Sequence, residues 1–127
     1  MMREAHRSGF TLIELLVVLA IVATLLLFSA PRYLGKLRSA REAVLQENLR
    51  AIRMVIGHFH GDNGRCPESL SELVDRGYIA ALPIDPITES SGTWVLLPPP
   101  TGTDGQFCDL RSGAAGANLD GVAYSSL

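Results

Sequence analysis

The sequence is poor in aromatic residues and in cysteine, and its basic residues are not clustered. Aromatic residues make up 6% of the 127 residues, and two cysteines allow at most one bridge, which excludes a disulfide-dense mini-protein. Eleven basic residues stand against 13 acidic ones, giving a formal charge of −2. Without a basic face, direct binding of nucleic acid is not expected. This length allows one domain.

Charge is also missing from one long stretch near the N-terminus. Between Leu15 and Ala30 the only polar side chains are the hydroxyls of Thr24 and Ser29. A helix over residues 10–30 would be about 31 Å long, which matches the hydrocarbon thickness of a bilayer. The sequence therefore predicts one membrane-spanning helix.

The residues before this stretch determine its predicted orientation. Arg3 and Arg7 outnumber Glu4, and the α-amino group adds a positive charge. Because positive flanks stay in the cytoplasm, we expect the N-terminus inside and the C-terminal part outside. A conventional cleaved signal peptide is the alternative. It is disfavoured because Pro31 directly follows the small residues at the expected cut, and because the helical pattern continues beyond them.

Glu14 places a carboxylate one turn inside the apolar stretch. A charge near the middle of a membrane helix costs on the order of 2.5 to 3.5 kcal/mol on insertion scales, and less near the interface. Either Glu14 has a positively charged partner, or it lies at the interface and reaches the cytoplasmic headgroups. This pattern alone leaves both interpretations open.

An amphipathic helical stretch follows Pro31, which lacks an N–H, so a kink or a locally melted turn is expected at 29–35. Apolar residues then recur at helical spacing up to an expected helix end at 61–64. This predicted stripe comprises Leu37, Val44, Leu45, Leu49, Ile52, Val55, Ile56 and Phe59. The opposite, polar face comprises Ser39, Gln46, Arg50 and Arg53.

The residues after Gly64 are predicted to cover this stripe. Residues 65–78 indicate a short helix that ends at Gly77. Its start is either a capping box of Ser69 with Glu72 or a first turn that contains Pro67. Residues 82–86 indicate an ordered loop, residues 93–97 and 106–110 an antiparallel hairpin, and residues 111–127 a wrapping tail. The fold class is therefore α+β, with the long helix packed against the short helix and a small sheet.

His58 and His60 do not suggest a metal site with Cys66. Residues two apart on a helix point in nearly opposite directions, and no zinc-type spacing is present. We expect both histidines to be exposed. No sequence context marks a nucleophile with an orienting group, so we do not predict an enzyme.

The run Gly9-Phe10-Thr11-Leu12-Ile13-Glu14 resembles the N-terminal signal of type IV pilins and type II secretion pseudopilins. In that family a short basic leader ends in glycine, phenylalanine usually follows, and a glutamate lies four residues further on. The resemblance implies that a prepilin peptidase cuts between Gly9 and Phe10 and that the new Phe10 amine is N-methylated. It also implies that Glu14 and Phe10 act together in subunit assembly.

This resemblance implies a structural filament subunit of the bacterial inner membrane. Its expected partners are identical and related subunits, the prepilin peptidase and methyltransferase, and an inner-membrane assembly platform. The expected topology is a single pass with a cytoplasmic N-terminus and a periplasmic C-terminal domain, followed by entry into a periplasmic or surface filament. The expected organisation is a cleaved leader at 1–9, a transmembrane and assembly helix at 10–30, its amphipathic continuation at 31–64 and a globular α+β region at 65–127.

The same signal is shared by secretion, pilus and competence filaments, and among these a type II secretion pseudopilin is the leading interpretation. The alternative is a single-pass, membrane-anchored binding module in the periplasm, which would keep residues 1–9 and remain monomeric. N-terminal processing distinguishes the two.

The globular half also resembles the major type II secretion pseudopilins. The resemblance rests on residues 64–70, 82–86, 109–113 and 119–121. Such proteins have an acidic, glycine-rich loop that binds calcium, whereas this chain keeps only Asp109 and Asp120 as charged ligands there. Because Ca²⁺ takes about six to eight oxygens, these two are calcium candidates, and the alternative is a plain Asp-Gly turn. No cofactor is otherwise expected.

Cys66 and Cys108 are predicted to form a disulfide. Both follow the span, on the side assigned to the oxidising periplasm. One lies at the end of the long helix and the other on a strand that must cover this helix. The alternative is that each is a separate buried thiol.

Overall fold

A computed structural model describes residues 8–127, so most of the predicted leader, residues 1–7, lies outside the described residues. The elements are helix α1 (Leu12–Asn63), helix α2 (Leu70–Asp75), strand β1 (Trp94–Leu97), strand β2 (Asp109–Ser112) and a 3-10 turn (Tyr124–Ser126). The strands form a two-stranded antiparallel sheet, so the predicted α+β class is confirmed. The chain divides into two compact units, Met1–Leu37 and Arg38–Leu127.

Helix α1 has 52 residues and passes through Pro31 without a break. The melted turn suggested for 29–35 is therefore wrong, because a proline removes only its own N–H from the backbone ladder and the helix continues around it. A kink at Pro31 stays a prediction. The helix ends inside the predicted 61–64 window, where Gly64 takes a left-handed φ of 69°.

The later part of α1 supplies one wall of the core of the Arg38–Leu127 unit. Five residues of the predicted stripe are buried, namely Leu45, Leu49, Ile52, Ile56 and Phe59, and Val55 is partly buried. Leu37 and Val44 were assigned to the stripe wrongly, since they are 38% and 49% exposed. At about 100° per residue, they project roughly 80° and 100° from the centre of the buried face.

The other wall of the core comes from residues after α1. It consists of Leu73 on α2, Trp94 on β1, Phe107, Leu110 on β2, and Ala114 and Tyr124 in the tail. Helix α2 begins with Ser69 as its N-cap, since Ser69 Oγ accepts a hydrogen bond from the N–H of Glu72 at 3.2 Å. Pro67 precedes the helix, and the Glu72 carboxylate pairs with Arg65 at 2.9 Å instead of completing a capping box. Gly77 follows with a φ of 78°, as predicted.

The hairpin is present, but its second strand lies further along the chain than predicted. Strand β2 begins at Asp109, which is paired with Leu97, and ends at Ser112, which is paired with Trp94. The predicted strand at 106–110 was displaced because the N–H groups of Gln106 and Phe107 donate to the carbonyl of Pro67, at 3.0 and 3.2 Å, instead of pairing with β1.

A disulfide joins Cys66 and Cys108, whose Cα atoms are 5.4 Å apart. This is the predicted pairing, and it links the segment after α1 to the segment before β2. Gly105 lies against the Cys66 backbone with a φ of 114°, and a Cβ there would collide with the Cys66 carbonyl. Glycine at this position therefore permits the close approach that the disulfide requires.

Candidate functional site

The predicted cleavage bond, Gly9–Phe10, lies in non-helical backbone just before α1. Residues 8–11 are outside the helix, and the Phe10 side chain is 87% exposed. No described atom lies within 4 Å of the place where a Cβ on Gly9 would be. An enzyme can therefore reach the bond from several sides. Exposed, non-helical segments of this kind are the preferred sites of proteolytic cleavage.

Glu14 lies in the first turn of α1. Its N–H donates to Thr11 Oγ1 at 3.2 Å, so Thr11 caps the helix, and a negative charge in this turn is favourable to the helix dipole. The ion pairs formed within residues 8–127 do not include the Glu14 carboxylate. Phe10, just before α1, and Glu14, in its first turn, are both exposed.

The first part of α1 presents an apolar surface on all sides. The helix contains an 18-residue window with a mean hydropathy of 2.8, none of it buried, and is long and apolar enough to cross a membrane. Large apolar side chains from Leu12 to Phe28 are 46% to 79% exposed. Thr24 satisfies its hydroxyl within the helix by donating to the carbonyl of Ala20 at 2.8 Å. Such a surface requires lipid or other apolar helices as its surroundings.

The structure does not bring the two calcium candidates together. Asp109 Oδ1 accepts a hydrogen bond from Arg53 Nε at 2.8 Å. Asp120 lies in a turn that Gly121 closes with a φ of 81° and an N–H bond to the Asn118 carbonyl at 3.0 Å. Within residues 8–127, no group of three or more acidic, histidine or cysteine side chains could hold a metal ion. This loop contains an Asp-Gly turn at Asp120 and Gly121.

His58 and His60 are both exposed on α1, as expected, while Cys66 is buried in the disulfide. The assignment of Arg53 to the polar face was wrong. Its guanidinium is partly buried and also donates to the carbonyls of Leu110 and Leu127, at 3.0 and 2.8 Å. Arg53 projects only about 80° from the centre of the buried face, so it reaches β2 and the tail at the margin of that face.

Within residues 8–127, sequence reasoning missed four buried polar residues: Glu42, Asp85, Asn118 and Ser112. The burial of Glu42 could have been predicted from the sequence. Glu42 precedes Leu45 and Leu49 at helical spacing and so falls on the apolar stripe. The other three lie in loops and at a strand end, where the sequence has no periodic pattern from which burial can be predicted.

The Glu42 carboxylate connects α1 to the tail. Its Oε1 accepts a hydrogen bond from Tyr124 Oη at 2.7 Å and lies 3.3 Å from Arg38 Nε, and its Oε2 accepts from the N–H of Leu119 at 3.2 Å. Burial would raise the pKa of Glu42, but the bonds from Tyr124 and Leu119 and the charge of Arg38 outweigh burial and lower this pKa.

The chain matches known proteins both at its N-terminus and over most of its length. A family model described as the prokaryotic N-terminal methylation motif matches residues 5–30. The type II secretion system core protein G of Aeromonas hydrophila is 30% identical over 101 residues, which cover 67% of this chain and 71% of that protein. The core protein G of Pseudomonas aeruginosa is 29% identical with the same coverage.

A competence protein is also similar. The competence protein ComGC of Halalkalibacterium halodurans is 28% identical over 74 residues, which cover 58% of this chain and 72% of that protein. No solved structure matches at a significant level. The methylation motif covers the exposed Gly9–Phe10 bond, Glu14 and the apolar part of α1. The chain therefore belongs to the type IV pilin and pseudopilin family and is a membrane-anchored, pilin-like structural subunit.

Proposed function

We propose that this chain is a type II secretion pseudopilin, which a prepilin peptidase cuts between Gly9 and Phe10 and which assembles into a filament through α1. The observation that carries the proposal is the exposed, non-helical Gly9–Phe10 bond directly before an apolar helix surface with no buried residue. Secretion is favoured over competence because the core protein G of Aeromonas hydrophila covers 67% of the chain, against 58% for the competence protein.

The chemistry at Phe10 and Glu14 supports assembly through this end of the helix. Cutting creates an α-amino cation at Phe10, and each of the two charges alone is costly in an apolar helix bundle. The Glu14 carboxylate of one subunit neutralises the amine of a neighbour that is shifted along the filament axis. The two charges meet only at one stagger, so the pair determines the register of assembly. Methylation of Phe10 keeps the charge that this pair requires.

The same proposal places the N-terminus in the cytoplasm and residues 65–127 in the periplasm. The prepilin peptidase and methyltransferase act first, and the inner-membrane assembly platform then transfers the subunit from the bilayer into the filament. Lipid covers the apolar surface of α1 before this transfer, and neighbouring helices cover it afterwards. The surface therefore has apolar surroundings in both states, which agrees with the absence of buried residues from this span in the single chain.

The test is the N-terminus of the mature protein. N-terminal sequencing and intact mass of the membrane-extracted chain should show a sequence beginning at Phe10 with one added methyl group. Gly9→Leu should abolish processing, whereas Ser8→Ala, one residue away, should be cut normally. A mature protein that begins at Met1 or Met2 would overturn the proposal and favour the membrane-anchored binding module. Neighbouring genes for a secretion ATPase and a secretin would support secretion, whereas a gene for a retraction ATPase would indicate a pilus.

A further inference from the structure

The Glu42 carboxylate and the Arg38 guanidinium attach the loop at 117–124 to α1. Glu42 is 8% exposed, and both of its oxygens are used by Tyr124, Leu119 and Arg38. Arg38 also donates from Nη2 to the carbonyl of Ala117 at 2.7 Å. A single cation therefore contacts a carboxylate from the helix and a carbonyl from the loop at 117–124.

Three further oxygens of this loop are engaged by backbone N–H groups. Asn118 Oδ1 accepts from the N–H groups of Asp120 and Val122, at 3.0 and 2.9 Å. The carbonyl of Asn118 accepts from Gly121 at 3.0 Å, and the carbonyl of Val122 accepts from the N–H of Asn118 at 2.8 Å. A hard cation needs about six to eight oxygens that are free to turn toward it. These oxygens are already committed to other donors.

The charges around the loop also do not fit a calcium ion. Asp120 is the only carboxylate within residues 117–124, and Asp109 pairs with Arg53. On α1, Arg53 contacts Asp109 and Glu42 contacts the loop that contains Asp120. These two helix positions are about 16 Å apart along the helix axis. The Arg38 guanidinium further places a positive charge against a loop carbonyl, where a second cation would be repelled. The residues present thus do not form a calcium site.

We infer that the Arg38 guanidinium, held by the Glu42 carboxylate, closes the loop at 117–124 in the way a calcium ion closes an acidic loop, so that the tail folds without calcium. Arginine suits this role because its planar group forms an ion pair with Glu42 and at the same time donates a hydrogen bond to the Ala117 carbonyl. The inference concerns folding of the tail and holds whether or not the chain assembles into a filament.

The test is hydrogen exchange of the full chain in detergent, with calcium chloride or with a chelator. In the wild type, the N–H groups of Leu119 and Val122 should be equally protected in both conditions. Glu42→Gln and Arg38→Gln should lower the protection of the tail, at least about tenfold at Leu119 for Glu42→Gln, because a charged hydrogen bond is lost. Calcium should not restore it.

The pair Glu47 and Arg50 provides the matched control. It is an exposed ion pair on the same helix, 3.7 Å apart. Glu47→Gln and Arg50→Gln should therefore leave tail protection unchanged. Calcium-dependent protection in the wild type, rescue of Glu42→Gln by calcium, or full protection in Glu42→Gln would each overturn the inference. The wild-type comparison decides whether the tail needs calcium even where a variant fails to fold.

Discussion

The Ser112 hydroxyl donates a hydrogen bond to the Asp85 carboxylate, and both side chains are completely buried. The other oxygen, Asp85 Oδ1, accepts from the N–H groups of Ile87 and Thr88, at 2.8 and 3.4 Å. Ser112 Oγ in turn accepts from the N–H of Ala114 at 3.1 Å. This buried carboxyl group is thus hydrogen-bonded by protein donors, and it joins the loop after α2 to the end of β2.

Removing the Ser112 hydroxyl should therefore destabilise the fold. We expect Ser112→Ala to lower the free energy of unfolding by about 1.5 to 3 kcal/mol, because a buried carboxylate loses a donor. Denaturant unfolding followed by Trp94 fluorescence measures this. Ser126→Ala is the control, since Ser126 is exposed and donates only to the Ala123 carbonyl. Equal stability of the two variants would contradict the prediction.

Glu14 should matter for assembly and not for insertion. We expect Glu14→Ala and Glu14→Leu to be inserted and cut normally but to enter filaments poorly, because the Phe10 amine of the neighbour loses its counter-charge. The Leu variant should accumulate in the bilayer as a stable unassembled pool. Fractionation of sheared filaments from membranes measures incorporation, with Glu47→Gln as the control. Wild-type incorporation of Glu14→Ala would refute this role.

The disulfide between Cys66 and Cys108 closes a loop over a sequence separation of 42 residues. In the chain-entropy treatment, such a closure stabilises a fold by about 4 kcal/mol. We expect the double variant Cys66→Ala with Cys108→Ala to lose stability on that scale in denaturant unfolding. Alkylation of the denatured, unreduced protein tests the bond itself, and mass spectrometry should find no label on either cysteine.

Gly113 should tolerate no side chain. A Cβ on Gly113 would collide with the carbonyl oxygen of Thr93, which belongs to the backbone beside β1 and cannot move alone. We expect Gly113→Ala to destabilise the fold by about 1 to 3 kcal/mol, as overpacking does. Gly57→Ala is the matched control, because Gly57 lies inside α1 and a Cβ there meets no atom within 4 Å. That change should instead stabilise the helix by about 0.5 to 1 kcal/mol, and thermal unfolding should show opposite shifts.

Attachment of the tail should depend on pH through Glu42. Because folding lowers the pKa of Glu42, its contribution to stability is present above the ordinary value of 4.5 and is lost as pH falls through the lowered pKa. The difference in unfolding temperature between the wild type and Glu42→Gln should therefore be constant near neutral pH and shrink in acid. A difference that grows as pH falls would contradict this assignment.

Features that depend on near neighbours in the sequence could be predicted. The apolar stretch at 10–30, the Ser69 cap with its partner three residues on, and the glycine after each helix are examples of such local signals. The paired cysteines were also predicted, because only one pairing exists and both cysteines lie on the same side of the span.

Features that depend on distant neighbours could not be predicted in the same way. Tyr124 and Glu42 are 82 residues apart, and Arg53 and Asp109 are 56 residues apart, so no periodic pattern reports their contacts. The second strand was displaced because the Pro67 carbonyl competes for its first N–H groups. The partner of Glu14 belongs, in our proposal, to another subunit, so a single chain does not contain it.

The buried residues of the described chain begin at Glu42 and continue to Tyr124, whereas residues 8–41 are all exposed. A pulling force on the N-terminal end of α1 would therefore break no buried contact before it reaches Glu42. The mechanical work of drawing the helix out of lipid is then separate from the work of unfolding the core. In our proposal, the assembly platform can therefore act on the helix while the globular region stays folded.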